Sequence, residues 1–374
     1  MKNLNFLIKP ASGLCNMRCR YCFYEDEAAN RSEASAGRMT AMTADKLIED
    51  AFAVLEPRGM VTFAFQGGEP TLAGLDYFRH FVAKVSQCNT KRVQINYAIQ
   101  TNGLAINEDW ADFLARNRFL VGVSIDGTKA IHEELRPDTA GKSTWTRVTK
   151  ALALLQKKRV DTNILCVVTR PCAKSPIKVY HALQKLGGQY LQFIPCLDPL
   201  GAERGSMAYS LTPELYAGFL CGLFDEWYLD WKNGRYTSIR LFDDYVHLAM
   251  GMPAGTCATS GSCGAYLVVE GDGTLYPCDF YCLDEWKLGK VGEQPLEQFL
   301  KGEKEREFLA QGEQHPAECA ECACLSLCFG GCKRDWYTDD TGTHNYFCPA
   351  FRKFFSYAGV RLAEIARLES STRR

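Results

Sequence analysis

With 374 residues, 47% hydrophobic and 23% charged, the chain has the make-up of a folded soluble protein, and its length suits two or three domains of roughly 100–200 residues each. Basic side chains number 43 and acidic ones 44, no long basic run occurs, and the terminal "STRR" is too short for a basic arm, so nucleic acid is not expected as a main partner. The opening "MKNLNFLIKPASG" lacks the apolar core of a signal peptide, and no stretch reaches ~18 consecutive apolar residues; a cytoplasmic chain with no membrane span is expected.

Short apolar runs alternate with amphipathic stretches through the first two thirds. The predicted strands are 4–10, 61–68, 94–103, 119–127, 162–169 and 190–199. Helices are predicted over 43–55, 75–87, 107–117, 144–158 and 175–187. Strands alternating with helices make βα units and a parallel sheet. Six units leave an open partial barrel or a doubly wound sheet, and both place functional loops at the carboxyl ends of the strands. Beyond residue 200 the pattern changes. A long helix is predicted over 212–234, closed by Gly234. A short hairpin follows around 270–277, turned by "GDG". Helices are predicted over 295–311 and 350–369.

Cysteine is the anomaly, at 18 residues. A reducing compartment disfavours disulfides, which leaves metal ligation by thiolates. Cys15, Cys19 and Cys22 in "CNMRCRYC" sit at i, i+4 and i+7, but the stretch has no other apolar periodicity, so a buried helix face fits poorly. A structural zinc site takes four protein ligands, and so does an ordinary [4Fe-4S] cluster. Three thiols leave one iron of a cube open to a small molecule.

This C-x3-C-x2-C stretch, just after the first predicted strand and with aromatic Tyr21 before Cys22, resembles the signature of radical S-adenosylmethionine (SAM) enzymes. The resemblance implies a partial (β/α)6 barrel over 1–235. It implies a cofactor chelated to the open iron and cleaved to a 5′-deoxyadenosyl radical. "QGGEP" (66–70) is similar to the family's cofactor loop, with Gly68 at the methionine amino group. By the same resemblance Ser124 faces the cofactor, Arg136 clamps its carboxylate and Leu197 packs on adenine; each also has an ordinary structural explanation.

The later cysteines resemble a SPASM extension, a cysteine-rich domain over 236–349 with a small β-hairpin and helices, followed by a C-terminal helix over 350–374. The resemblance implies two further clusters, one on Cys257, Cys263, Cys278 and Cys332 and one on Cys319, Cys322, Cys328 and Cys348, hence three [4Fe-4S] clusters and S-adenosyl-L-methionine in all. Structural zinc on the same thiols is the competing reading. Cys282 and Cys324 are left out of both sets.

Nearly the whole chain is similar to anaerobic sulfatase-maturating enzymes, carried by "LIKPASGLCNMRCRYCFY", "FAFQGGEPTLAG", "NILCVVT", "LQFIPCLDPL", "YPCDFY" and "GGCKRD". That family oxidises a cysteine or serine in a C/S-x-P-x-R motif of an unfolded or nascent sulfatase to Cα-formylglycine. The radical abstracts hydrogen from the target Cβ, and Asp279 would be the base, with Tyr24 lining the same cavity. A barrel starting near residue 4 leaves no room for a leader-binding domain before it. An electron donor such as flavodoxin or ferredoxin is implied. The alternatives are a maturase forming a thioether or carbon crosslink in a ribosomal peptide, and a non-enzymatic iron–sulfur carrier or zinc-stabilised binding module.

Overall fold

The computed structural model describes residues 1–264 and 266–372; Ala265, and Arg373 and Arg374 of the terminal "STRR" and of the predicted 350–374 segment, lie outside the described residues. In chain order the strands are β1 (Asn3–Ile8), β2 (Met60–Phe65), β3 (Gln94–Thr101), β4 (Phe119–Ser124), β5 (Asp161–Val168), β6 (Tyr190–Pro195), β7 (Ser238–Ile239), β8 (Leu267–Val269), β9 (Thr274–Tyr276), β10 (Gly289–Lys290), β11 (Trp336–Asp339) and β12 (Gly342–Asn345). The first six are the predicted barrel strands. The chain divides into two compact units, one of Met1–Ser124, Glu133–Asn163 and Ala265–Phe308, the other of Ile125–His132, Ile164–Gly264 and Leu309–Arg374.

In the first unit β1 to β4 run parallel, each hydrogen-bonded to the next. Their register aligns one aromatic ladder: Phe6 lies opposite Phe63, Phe63 opposite Tyr97, and Tyr97 opposite Phe119. The rings stack at 5.6, 6.2 and 4.9 Å between centroids. Such pairs are worth about 0.5–1.5 kcal/mol each beyond the area they bury, and a one-residue slip would turn them to the other face. Helices Ala41–Val54, Leu75–Cys88 and Glu108–Arg116 bury their apolar faces, with Thr40 and Asn107 capping two of them by accepting from Thr43 N–H and Trp110 N–H. The predicted hairpin is β8–β9, and it is not self-standing: β8 pairs in parallel with β1, with Phe6 opposite Leu267 and Ile8 opposite Val269. The carboxyl ends of β1 to β4 therefore share one edge, and the chain following β9 belongs to the same unit.

The predicted helix over 295–311 is two helices, Leu296–Leu300 and Glu303–Glu313. The break falls at Lys301–Gly302, where glycine gives the poorest helical support short of proline. It lets Phe299 and Phe308, one on each piece, both be buried.

In the second unit β5, β6 and β7 are parallel neighbours. The long helix Pro213–Lys232 starts on a Thr212 cap with proline in its first turn and closes at Gly234, whose φ is +70°. It packs on Cys348–Thr372, with Phe224 against Phe354 and with Arg361 paired to Asp225 at 2.7 Å, while Phe242 of the helix Arg240–Ala249 stacks on the same Phe354. Among the described residues no helix is long and apolar enough to cross a membrane.

Candidate active site

The cysteine loop of the first unit is held from two sides. On one, Gly68 N–H donates to Ser12 O and Glu69 N–H to Leu14 O, both at 2.8 Å, so "GGEP" is stitched onto the residues that lead into Cys15. On the other, Arg18 N–H donates to Pro137 O, Arg20 N–H to Leu135 O and Thr139 N–H to Asn16 O. Glu69 is buried and accepts from Thr71 N–H, Thr71 Oγ1, Thr101 Oγ1 and Asn102 N–H. Asn102 in turn donates to Asn16 Oδ1 at 2.7 Å and lies 3.7 Å from Cys15 Sγ. A buried carboxylate thus fixes the end of β3 and, through Asn102, the cysteine loop.

Burial pushes the Cys15 and Cys22 thiols up, and several groups offset part of that. Met17 N–H points at Cys15 Sγ from 3.4 Å, and the backbone N–H groups of Tyr24 and Glu25 point at Cys22. Arg136, which donates to Tyr21 Oη at 2.6 Å, pulls both thiols down while burial pushes them up. Ser124, at the end of β4, accepts from Gln100 at 2.9 Å. Tyr21, Gly68, Ser124 and Arg136 all belong to the first unit; Leu197, half-buried after β6, belongs to the second. Backbone N–H donors at two of the three thiols, with the Arg136 charge nearby, suit a cluster that needs them deprotonated.

Asp279 is buried one residue beyond Cys278. Its Oδ2 accepts from Tyr24 Oη at 2.6 Å and from Gln66 Nε2 at 3.2 Å, and Gln66 also donates to Tyr24 Oη at 2.7 Å. Its Oδ1 lies 3.1 Å from Lys9 Nζ. Lys9, fully enclosed at the end of β1, donates to Cys282 Sγ at 3.1 Å and also faces Glu27 and Glu270, with Arg31 at 2.8 Å from Glu270. Its surrounding anions hold its pKa well above the ordinary value against desolvation. Burial and the Asp279 carboxylate push the Tyr24 phenol well up, so it donates. Four segments therefore meet at one carboxylate: the ends of β1 and β2, the residue two beyond Cys22, and the loop of Cys278. Asp279 and Tyr24 are legible in the sequence; Lys9, Gln66 and Glu69 fall inside motif stretches that assign them no role, and Asn102 lies outside every motif.

Burial pushes the Glu27 carboxyl up to about 8, against the pull of Lys9. Below pH 4.5 it is protonated folded or unfolded. Above that the unfolded chain loses the proton while the folded one keeps it, so this group makes stability fall as pH rises from 4.5 towards 8. Anaerobic urea unfolding at pH 5 and pH 8 should show this fall in the wild type and a flatter profile in Glu27→Gln.

In the second unit a small cavity of about 20 Å³ is lined by Cys319, Cys322, Cys328 and Cys348, and also by Cys324 and Arg352. Cys257, Cys263 and Cys332 lie in the same unit, and Cys278 in the first. Gly312 makes room for Cys263: a Cβ there would fall 2.4 Å from its sulfur. Arg334 N–H donates to Cys332 Sγ at 3.5 Å, and Tyr266 Oη to Cys278 Sγ at 3.6 Å. Cys282 is wholly buried against Lys9. Among the described residues no three His, Cys, Asp or Glu side chains stand close enough to share a single metal ion; the thiols of a cube each hold a different iron.

Residues 10–171 match the radical SAM superfamily and residues 262–323 an iron-sulfur cluster-binding domain, SPASM. With the parallel sheet, these define a radical SAM enzyme with an iron–sulfur extension. The cysteine-type anaerobic sulfatase-maturating enzyme of Clostridium novyi (strain NT) is 41% identical over 98% of either chain. The serine-type enzyme of Bacteroides thetaiotaomicron is 29% identical over 95% of this chain and 89% of its own. The solved structure of native anSMEcpe with bound AdoMet and Cp18Cys peptide superposes with a TM-score of 0.92 at 40% identity, over 98% of this chain and 99% of that one. The chain belongs to the anaerobic sulfatase-maturating enzymes.

Proposed function

We propose that this enzyme oxidises a cysteine in a C-x-P-x-R motif of an unfolded or nascent sulfatase to Cα-formylglycine, with serine a poorer substrate. The observation that carries the reading is the Asp279 carboxylate held by Gln66 and by Tyr24, two residues past Cys22. Preference for cysteine is supported by the higher identity to the cysteine-type relative than to the serine-type one, 41% against 29%.

In this reading residues 1–235 carry the radical chemistry, 236–349 the auxiliary clusters and 350–374 the closing helix. Cys15, Cys19 and Cys22 would hold the first of three [4Fe-4S] clusters. Tyr21, Gly68, Ser124, Arg136 and Leu197 would bind S-adenosyl-L-methionine. Bound together, these groups supply a 5′-deoxyadenosyl radical that takes a hydrogen atom from the target Cβ. Asp279 would then accept the thiol proton while the remaining electron passes to an iron–sulfur cluster, and water would hydrolyse the thioaldehyde to the aldehyde with release of hydrogen sulfide. Free cysteine titrates near ~8.5, so a placed base speeds this step at neutral pH. Tyr24 and Gln66 fix the accepting oxygen, and Lys9 offsets the buried charge. The enzyme would work in the cytoplasm with a donor such as flavodoxin or ferredoxin, without nucleic acid or membrane.

Anaerobic incubation of the reconstituted enzyme with paired C-x-P-x-R and S-x-P-x-R peptides tests this. An aldehyde at the target position, formed faster from cysteine, is expected by mass spectrometry. A crosslinked peptide with no aldehyde would instead mark a ribosomal-peptide maturase.

A further inference from the structure

The cavity of the second unit holds one thiol too many. A [4Fe-4S] cube bound only by cysteine takes four, whereas Cys319, Cys322, Cys324, Cys328 and Cys348 all line this space. The extra sulfur is not an accident of the surface. Cys324 caps the one-turn helix Leu325–Cys328, with Leu327 N–H and Cys328 N–H both donating to its carbonyl at 3.0 Å. Its side chain lines the cavity together with that of Cys322. Only Ala323 separates the two. Arg352 lines the same space.

The other unassigned cysteine of residues 236–349, Cys282, is a useful contrast. Its sulfur accepts from Lys9 and donates to Cys278 O at 3.6 Å, deep in the first unit. It is committed to protein partners. Cys324 shares its cavity with four proposed ligands.

We infer that Cys324 is a reserve ligand of the second auxiliary cluster, placed to take over the iron held by Cys322. The inference rests on the reading in which Cys319, Cys322, Cys328 and Cys348 hold that cluster. The exchange balances without any redox partner: Cys324 gives up a proton as it binds, Cys322 gains one as it leaves, and one thiolate replaces another at unchanged cluster charge. Two neighbouring thiols would let the site keep its iron when either is lost to oxidation or alkylation.

The test is iron and sulfide content, with Mössbauer spectra, of anaerobically reconstituted wild type, Cys324→Ala, Cys322→Ala and the double variant. About twelve irons per chain are expected for the wild type and for each single variant, with altered spectra in Cys322→Ala, and about eight for the double variant. About eight irons in Cys322→Ala overturns the inference, because Cys324 then cannot substitute. About eight in Cys324→Ala also overturns it, because Cys324 is then a resident ligand. A wild type with about eight, or a double variant that keeps about twelve, removes the second cluster from these thiols and the inference with it. Far-UV circular dichroism confirms that each variant is folded, and the two single variants decide the matter even should the double variant not fold.

Discussion

Asp279→Asn should still form 5′-deoxyadenosine from S-adenosyl-L-methionine in the presence of a C-x-P-x-R peptide, yet yield at least about a hundred-fold less aldehyde. The substitution is nearly isosteric. An amide oxygen can go on accepting from Tyr24, which now stands 2.6 Å from Oδ2. Lys9 keeps the Glu270 carboxylate as its counter-charge at 3.8 Å. The site therefore stays assembled while its proton acceptor is lost. A base placed at the reacting group contributes about 10²–10⁴-fold, which sets the expected loss. Hydrogen abstraction and proton removal are separate events in this scheme, so the ratio of aldehyde to deoxyadenosine is the quantity to measure. Tyr24→Phe removes one donor and leaves Gln66, so it should lower the same ratio by a smaller factor, about ten-fold. A wild-type ratio in Asp279→Asn would relocate the base.

What is readable in advance follows from how each feature is encoded. Cys15, Cys19 and Cys22 are a local pattern, and their chemistry shows in spacing alone. The helices near residues 107 and 212 carry their own caps, Asn107 and Thr212, so their starts are legible to within a residue or two. The break at Gly302 is not, because the apolar period runs on through it. The Asp279 constellation is half legible. Asp279 announces itself beside Cys278, but its partners Lys9 and Gln66 are 270 and 213 residues away in sequence. They meet it because β8 adds to the edge of β1, a pairing that no local pattern in "EGDGTLYP" specifies. Lys9 is the least visible, since a lysine closing an apolar strand reads as a solvated end. Here it is 2% exposed among three carboxylates and a thiol.

Gly68→Ala tests the other half of the site, the hold of "GGEP" on the cysteine loop. A Cβ at residue 68 would fall 2.3 Å from Leu14 O and 2.7 Å from Gly13 C. Both are backbone atoms, so no side-chain rotation relieves the clash, and the loop before Cys15 must move. The two hydrogen bonds that stitch Gly68 to Ser12 and Glu69 to Leu14 share that space and would lengthen together. Overpacking of this kind costs about 1–3 kcal/mol. The larger consequence is geometric. A misplacement of about 1 Å near a reacting centre can cost on the order of a hundred-fold, so deoxyadenosine formation should fall by at least that factor. The chain should remain folded, because the aromatic ladder of β1 to β4 lies away from the clash. The neighbouring Gly74→Ala is the matched control: its Cβ meets nothing within 4 Å, although its φ of +91° carries strain. That variant should lose stability and keep its S-adenosyl-L-methionine cleavage. Equal loss of cleavage in both would trace the defect to backbone strain in the loop; loss confined to Gly68→Ala traces it to the contact with Leu14.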